Sequence, residues 1–146
     1  MKANDHQVGG THYKGSAYEH WDLVVRTGMG YLEGQATRYI TRWRKKNGLE
    51  DLQKAVHYID KLIEVNAGGA RGGGLGSDLM MLAEIKKFAL ANGLSPNEHF
   101  AVEDLAIWRS EKELVRARDI VLSLIEHAEP KPVPVSDSNK HAERAK

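Results

Sequence analysis

The stretch that decides the fold is residues 31–64, YLEGQATRYITRWRKKNGLEDLQKAVHYIDKLIE. Apolar side chains recur there at helical spacing, stop at Asn47 and Gly48, and then recur again. Asn and Gly favour the left-handed backbone conformation that ends a helix. The apolar positions are Leu32, Ala36, Tyr39, Ile40 and Trp43, then Leu52, Ala55, Val56, Ile59, Leu62 and Ile63. This pattern predicts an αα-hairpin whose first helix spans about 31–46.

Weaker helical patterns lie on both sides of this hairpin, at 18–26, 79–91 and 97–127. We therefore expect an all-α protein in which helical hairpins pack as a small bundle. Four parts are predicted: a helical domain with an N-terminal arm over 1–66, a flexible glycine-rich linker over 67–77, a helical second half over 78–128, and a disordered, proline-spaced tail over 129–146.

The second half resembles the first hairpin. Five identical pairs align without a gap: Gly28 with Gly93, Glu33 with Glu98, Ala36 with Ala101, Trp43 with Trp108, and Arg44 with Arg109. Helical periodicity alone would align some apolar positions, so a true duplication and a coincidence both remain open. The second half keeps packing positions and loses polar ones, since Glu103 and Ile107 replace Arg38 and Arg42. We interpret it as a scaffold or a cap.

Composition narrows the classes of function. The 146 residues suffice for one compact domain, and 41% hydrophobic content is ordinary for a globular protein. A formal net charge of +1 argues against nucleic acid as a partner held by bulk charge. The chain has no cysteine and no apolar run long enough to span a membrane, so we expect a cytoplasmic protein with no membrane contact.

Two polar stripes on the hairpin are candidates for a binding site. Arg38, Arg42 and Lys45 are spaced to share one face of the first helix, and such cations suit a phosphate group. Asp51, Lys54 and Tyr58 share one face of the second helix. If the helices pack antiparallel, the two stripes flank one groove, in which Asp51 could hold magnesium. The alternative is an ordinary solvated face.

The N-terminal arm carries a third candidate, His12-Tyr13-Lys14, which follows Gly9 and Gly10. Its aromatic ring could stack on a base while its cation meets phosphate. The glycine-rich segment 67–77 lacks the order GxxxxGK[ST], so it does not predict a phosphate-binding P-loop.

These motifs, HYK, LEG, RYI and EDLxKAxxYIDxLIE, resemble a family of small bacteriophage and prophage nucleotide kinase-like proteins, from about Asp5 to Glu64. The resemblance implies phosphate transfer from ATP to deoxynucleoside monophosphates without a P-loop, with Mg²⁺, by a homo-oligomer in the cytoplasm of the host bacterium. In the commoner form of the family's motif, lysine stands where this chain has Arg38. The motifs carry over ten candidate residues: His12, Tyr13, Lys14, Arg38, Tyr39, Arg42, Lys45, Asp51, Lys54 and Tyr58. From their chemistry we expect all of these except Asp51 and Lys54 to bind the nucleotide. We expect Arg42, Asp51 and Lys54 to be catalytic, with Asp51 also the metal ligand.

Two alternatives stay open at this point. The same groove could bind and sequester a nucleotide without reaction, for example a host defence signal. An all-α nucleoside triphosphate pyrophosphohydrolase would need carboxylates clustered on adjacent helices. Its candidates are Glu19, Asp22, Glu33, Glu50 and Asp60, which lack the paired spacing that this chemistry favours.

Overall fold

The computed structural model describes residues 17–66 and 75–128, and every regular element in those ranges is helical. The helices are α1 (His20–Thr27), α2 (Tyr31–Arg42), α3 (Leu49–Val65), α4 (Leu75–Ala91), α5 (Pro96–Ile107) and α6 (Glu111–His127). The prediction of an all-α bundle of helical hairpins is confirmed. The predicted arm over 1–16, the tail over 129–146 and the part of the linker before Leu75 lie outside the described residues.

Two predicted boundaries need correction. The first hairpin helix ends at Arg42, and a 3₁₀ turn over Trp43–Lys45 follows it. The backbone N–H of Gly48, which has a φ of 57°, donates to the Trp43 carbonyl over 2.8 Å and closes the connection to α3. The linker predicted over 67–77 extends too far, because α4 already begins at Leu75.

The two halves of the bundle agree in their second and third helices, whereas their first helices differ, since α1 has 8 residues and α4 has 17. α2 and α5 each have 12 residues, and α3 and α6 each have 17. Gly28 and Gly93 precede α2 and α5 with φ values of 69° and 64°. Equivalent helices also pack on each other, α1 on α4, α2 on α5 and α3 on α6. Like-with-like packing is the pattern that a two-fold axis produces.

Two tryptophan–glutamate hydrogen bonds join the halves reciprocally, the first partly buried and the second buried. The Trp43 indole Nε1 donates to Glu98 Oε2 over 2.5 Å, and the Trp108 indole Nε1 donates to Glu33 Oε2 over 3.1 Å. Each glutamate is the third residue of its helix, α5 or α2, and both are buried. A carboxylate at a helix N-terminus meets the positive end of the helix dipole, which lowers the cost of its burial.

The core lies between the paired helices. Its fully buried side chains include Leu23, Ile40, Leu52, Ile59, Ile85, Phe88, Leu105 and Leu114, drawn from all six helices. Among the described helices, none combines the length and the hydropathy that a membrane span requires.

Candidate functional site

An open groove of about 330 Å³ runs along the outer face of the first hairpin. It is lined by Tyr39 of α2 and by Glu50, Gln53, Lys54, His57 and Tyr58 of α3. The α3 residues form the polar face of an amphipathic helix whose other face carries Leu52, Ala55 and Ile59 into the core. The groove therefore results from the same periodicity that builds the hairpin.

Aromatic rings form the apolar surface of this groove. The Tyr39 and Tyr58 rings stack with their centroids 5.9 Å apart and their planes at 19°. Tyr31 meets the Tyr58 ring edge-on, with centroids 6.2 Å apart. The pKa of Tyr58 is raised, mainly by a hydrogen bond with Tyr31 and to a lesser extent by partial desolvation. Its phenol therefore stays protonated at neutral pH. Stacked rings of this kind can receive a planar base.

Two cations flank the Tyr39 ring. The Arg42 guanidinium lies 4.7 Å from the ring centroid, and the Lys54 ammonium lies 5.5 Å from it. Lys54 also pairs with Glu50 over 3.3 Å, while its side chain stays 41% exposed. Two cationic groups thus lie beside an apolar surface, each balanced by a carboxylate, since Arg42 pairs with Asp51.

Arg38 extends the positive charge along α2. Its side chain is exposed, and its charge lies close enough to Tyr58 to oppose the rise in that phenol's pKa. Behind it, His20 of α1 is mostly buried, with Nε2 2.8 Å from Thr37 Oγ1. The pKa of His20 is lowered to about 4, mainly by burial and to a lesser extent by the charge of Arg38. His20 is therefore neutral at physiological pH.

Asp51 does not lie on the exposed polar stripe where the sequence predicted it. Its side chain is 0% exposed, and Arg42 Nη2 lies 3.3 Å from its Oδ1. The backbone N–H of Asn47 donates to its Oδ2 over 3.2 Å. Asp51 thus closes the first turn of α3 and holds Arg42 in place, as a carboxylate at a helix start commonly does.

The magnesium expected at Asp51 does not fit this arrangement. Both carboxylate oxygens already accept protein donors, and no solvent-exposed oxygen remains to face the groove. Within 17–66 and 75–128, no group of three or more His, Asp or Glu side chains is arranged to hold a metal ion. The pyrophosphohydrolase alternative requires such a group and finds no support in that part of the chain.

The structure brings together some of the other predicted residues. Arg38, Tyr39, Arg42, Lys54 and Tyr58 lie around the groove. Lys45 lies in the 3₁₀ turn after α2 ends, so it does not continue the predicted stripe of Arg38 and Arg42. The arm residues His12, Tyr13 and Lys14 lie outside the described residues.

Sequence reasoning missed three residues at the site. Gln53 and His57 line the groove, and Tyr31 packs against Tyr58. Their positions on the polar faces of the helices were visible in the sequence, but such positions are shared by every solvated side chain. Only the pairing of α2 with α3 distinguishes them.

Together, fold and site define a class: an all-α protein of two paired hairpins with a cationic, tyrosine-lined groove on the first. Residues 9–60 match a family model described as proteins of unknown function (DUF3310). The matched segment contains α1, α2 and the groove residues through Tyr58, and it ends before α4. No curated protein and no solved structure matches the chain significantly.

Proposed function

We propose that this protein binds a nucleotide in the groove between α2 and α3. The observation that carries the proposal is the placement of two cations, Arg42 and Lys54, within 5.5 Å of the Tyr39 ring centroid, next to the stacked ring of Tyr58. A base would stack on the exposed part of the Tyr58 and His57 surface. Its phosphates would meet Lys54 and Arg38, because both side chains reach solvent.

As the activity of this site we propose phosphate transfer from ATP to a nucleoside or deoxynucleoside monophosphate. The proposal is supported by the resemblance of the motifs to bacteriophage nucleotide kinase-like proteins, which also suggests the cytoplasm of a host bacterium and a homo-oligomer. The chain's own contribution would be positioning and charge neutralisation. Asp51 would act indirectly, by orienting the Arg42 guanidinium at 3.3 Å.

Sequestration of a nucleotide without reaction is the second candidate, and one observation favours it. Among the described residues that line the groove, Glu50 carries the one carboxylate, and it is paired with Lys54. A phosphotransferase commonly uses carboxylates to hold Mg²⁺ or to accept a proton from the attacking group. A groove rich in cations and aromatic rings is sufficient for binding alone.

Incubation with γ-labelled ATP, Mg²⁺ and each nucleoside monophosphate separates these candidates. Labelled diphosphate would establish the kinase, whereas stoichiometric binding without turnover would establish sequestration. Lys54→Gln should weaken binding about tenfold, since a charged contact to phosphate contributes about 1.4 kcal/mol or more.

A matched control for this substitution is Lys61→Gln, which removes the same charge from α3. Lys61 is 53% exposed, pairs with Glu64 and does not line the groove, so its removal should leave affinity unchanged. Equal affinities for wild type and Lys54→Gln would contradict the proposed site. The absence of binding for every nucleotide would refute the proposed function.

A further inference from the structure

The second hairpin offers the same backbone positions as the groove, with different side chains. Because α5 and α6 have the lengths of α2 and α3, each groove residue has a counterpart. Arg38 corresponds to Glu103, Tyr39 to Asp104, Glu50 to Lys112, Gln53 to Val115, Lys54 to Arg116, His57 to Asp119 and Tyr58 to Ile120. The second hairpin thus carries carboxylates at three positions where the first has Arg, Tyr and His.

An ion pair occupies the place of the aromatic contact. In the first hairpin the Lys54 ammonium lies over the Tyr39 ring. In the second hairpin Arg116 donates to Asp104 through Nε over 2.9 Å and through Nη2 over 2.6 Å. The arginine is thereby neutralised by a bidentate carboxylate partner, so its charge is not available to an anion as that of Lys54 is.

The third residue of each hairpin helix is a carboxylate in both halves: Glu33 and Asp51 in the first, Glu98 and Glu113 in the second. The residues that precede these helices differ. Ser95 and Ser110 form capping boxes with Glu98 and Glu113, whereas α2 and α3 begin after Gly30 and Gly48 without a side-chain cap. The carboxylates and the reciprocal tryptophan–glutamate bonds are therefore kept, while the caps and the groove residues are not.

We infer that α4–α6 is a degenerate copy of α1–α3 that occupies the position of a second copy and has lost its nucleotide site. One polypeptide then has the arrangement of a two-fold dimer. Of the two equivalent hairpin faces, one keeps a nucleotide site and the other has lost it. The number of sites rests on the proposed function. The equivalence of the two halves does not, because it is carried by the matched lengths of α2 with α5 and of α3 with α6, by the packing of equivalent helices, and by the reciprocal contacts.

The number of sites can be tested by rebuilding the lost groove in the full-length chain. Wild type should bind one nucleotide per chain in calorimetric titration with ATP. The triple variant Glu103→Arg, Asp104→Tyr, Ile120→Tyr should bind two. Asp104→Asn alone, which breaks the ion pair without adding an aromatic ring, should still bind one. A triple variant with wild-type circular dichroism and one site would overturn the inference, as would two sites in wild type.

The equivalence of the halves has its own test, which needs no nucleotide and applies even if the triple variant does not fold. Trp43→Phe and Glu98→Gln should each lower the melting temperature. The double variant should lower it by about 4 °C less than the sum of the two single effects. Trp108→Phe with Glu33→Gln should show a similar departure. The cross-combination Trp43→Phe with Glu33→Gln should be additive.

Failures of the two proposals are distinguishable. If wild type binds no nucleotide, the proposed function fails, and the melting-temperature cycles alone decide whether the halves are equivalent. Coupling in one tryptophan–glutamate pair but not in the other would refute the equivalence. Coupling in both pairs, together with a second site in the triple variant, would support the whole inference.

Discussion

Replacement of His20 should remove a pH-dependent part of the stability. The imidazole lies between α1 and α2 against Thr37, and its pKa in the folded state is about 4, compared with an ordinary value of 6.5. In the unfolded chain the imidazole takes up a proton below about pH 6.5, whereas in the folded chain it resists protonation until about pH 4. The contribution of neutral His20 to the free energy of unfolding is therefore fully present above pH 6.5 and is lost as the pH falls toward 4.

The size of this effect follows from the shift. The full difference corresponds to about 3 kcal/mol, and about 2 kcal/mol of it should be lost between pH 7.5 and pH 5. Urea unfolding of wild type and His20→Gln at several pH values in this window measures it. The difference between the two proteins cancels carboxylate titration elsewhere. Parallel pH profiles for the two proteins would refute the assigned burial and electrostatics of His20.

Three further substitutions test the architecture by denaturant unfolding. Asp51→Asn should cost about 3 kcal/mol, because it leaves Arg42 without its buried anion; unchanged stability with lost activity would instead restore a direct catalytic role for Asp51. Trp108→Phe should lower the free energy of unfolding by about 3 kcal/mol, because it removes the indole donor to Glu33 and some packing; a loss below about 1 kcal/mol would contradict that contact. Gly93→Ala should cost about 1 kcal/mol through its φ of 64° alone, since no atom lies within 4 Å of the added methyl group; a much larger loss would imply a steric clash instead.

The hairpin was predictable because its determinants are local. Apolar spacing along 31–64 marks both helices, and Asn47 and Gly48 mark the turn between them. The same periodicity places Lys54 and Tyr58 on the solvent side of α3, where the structure has them. The end of α2 at Arg42 was not predictable from periodicity, because the helical spacing continues to Trp43 while the backbone tightens into a 3₁₀ turn.

Burial of the polar residues depends on contacts between distant parts of the chain. Asp51 shares a helix face with Lys54 and Tyr58, which reach the groove. Asp51 itself is buried, because Arg42 from the other side of the turn packs against its carboxylate. Glu33 and Glu98 are buried because each accepts an indole N–H from the other half. The identities at Glu33/Glu98 and Trp43/Trp108 were visible in the sequence, but their cross-pairing requires equivalent helices to pack together.

¹⁵N NMR titration of the full chain with ATP tests whether the proposed nucleotide site lies on the first hairpin alone. We expect amide shifts that saturate together and concentrate at Gln53, Lys54, His57 and Tyr58. The amides at the equivalent positions of α6 serve as the internal control and should not move; these are Val115, Arg116, Asp119 and Ile120. Shifts at the α6 positions instead, or an unchanged spectrum at saturating ATP, would show that the first hairpin is not the nucleotide site.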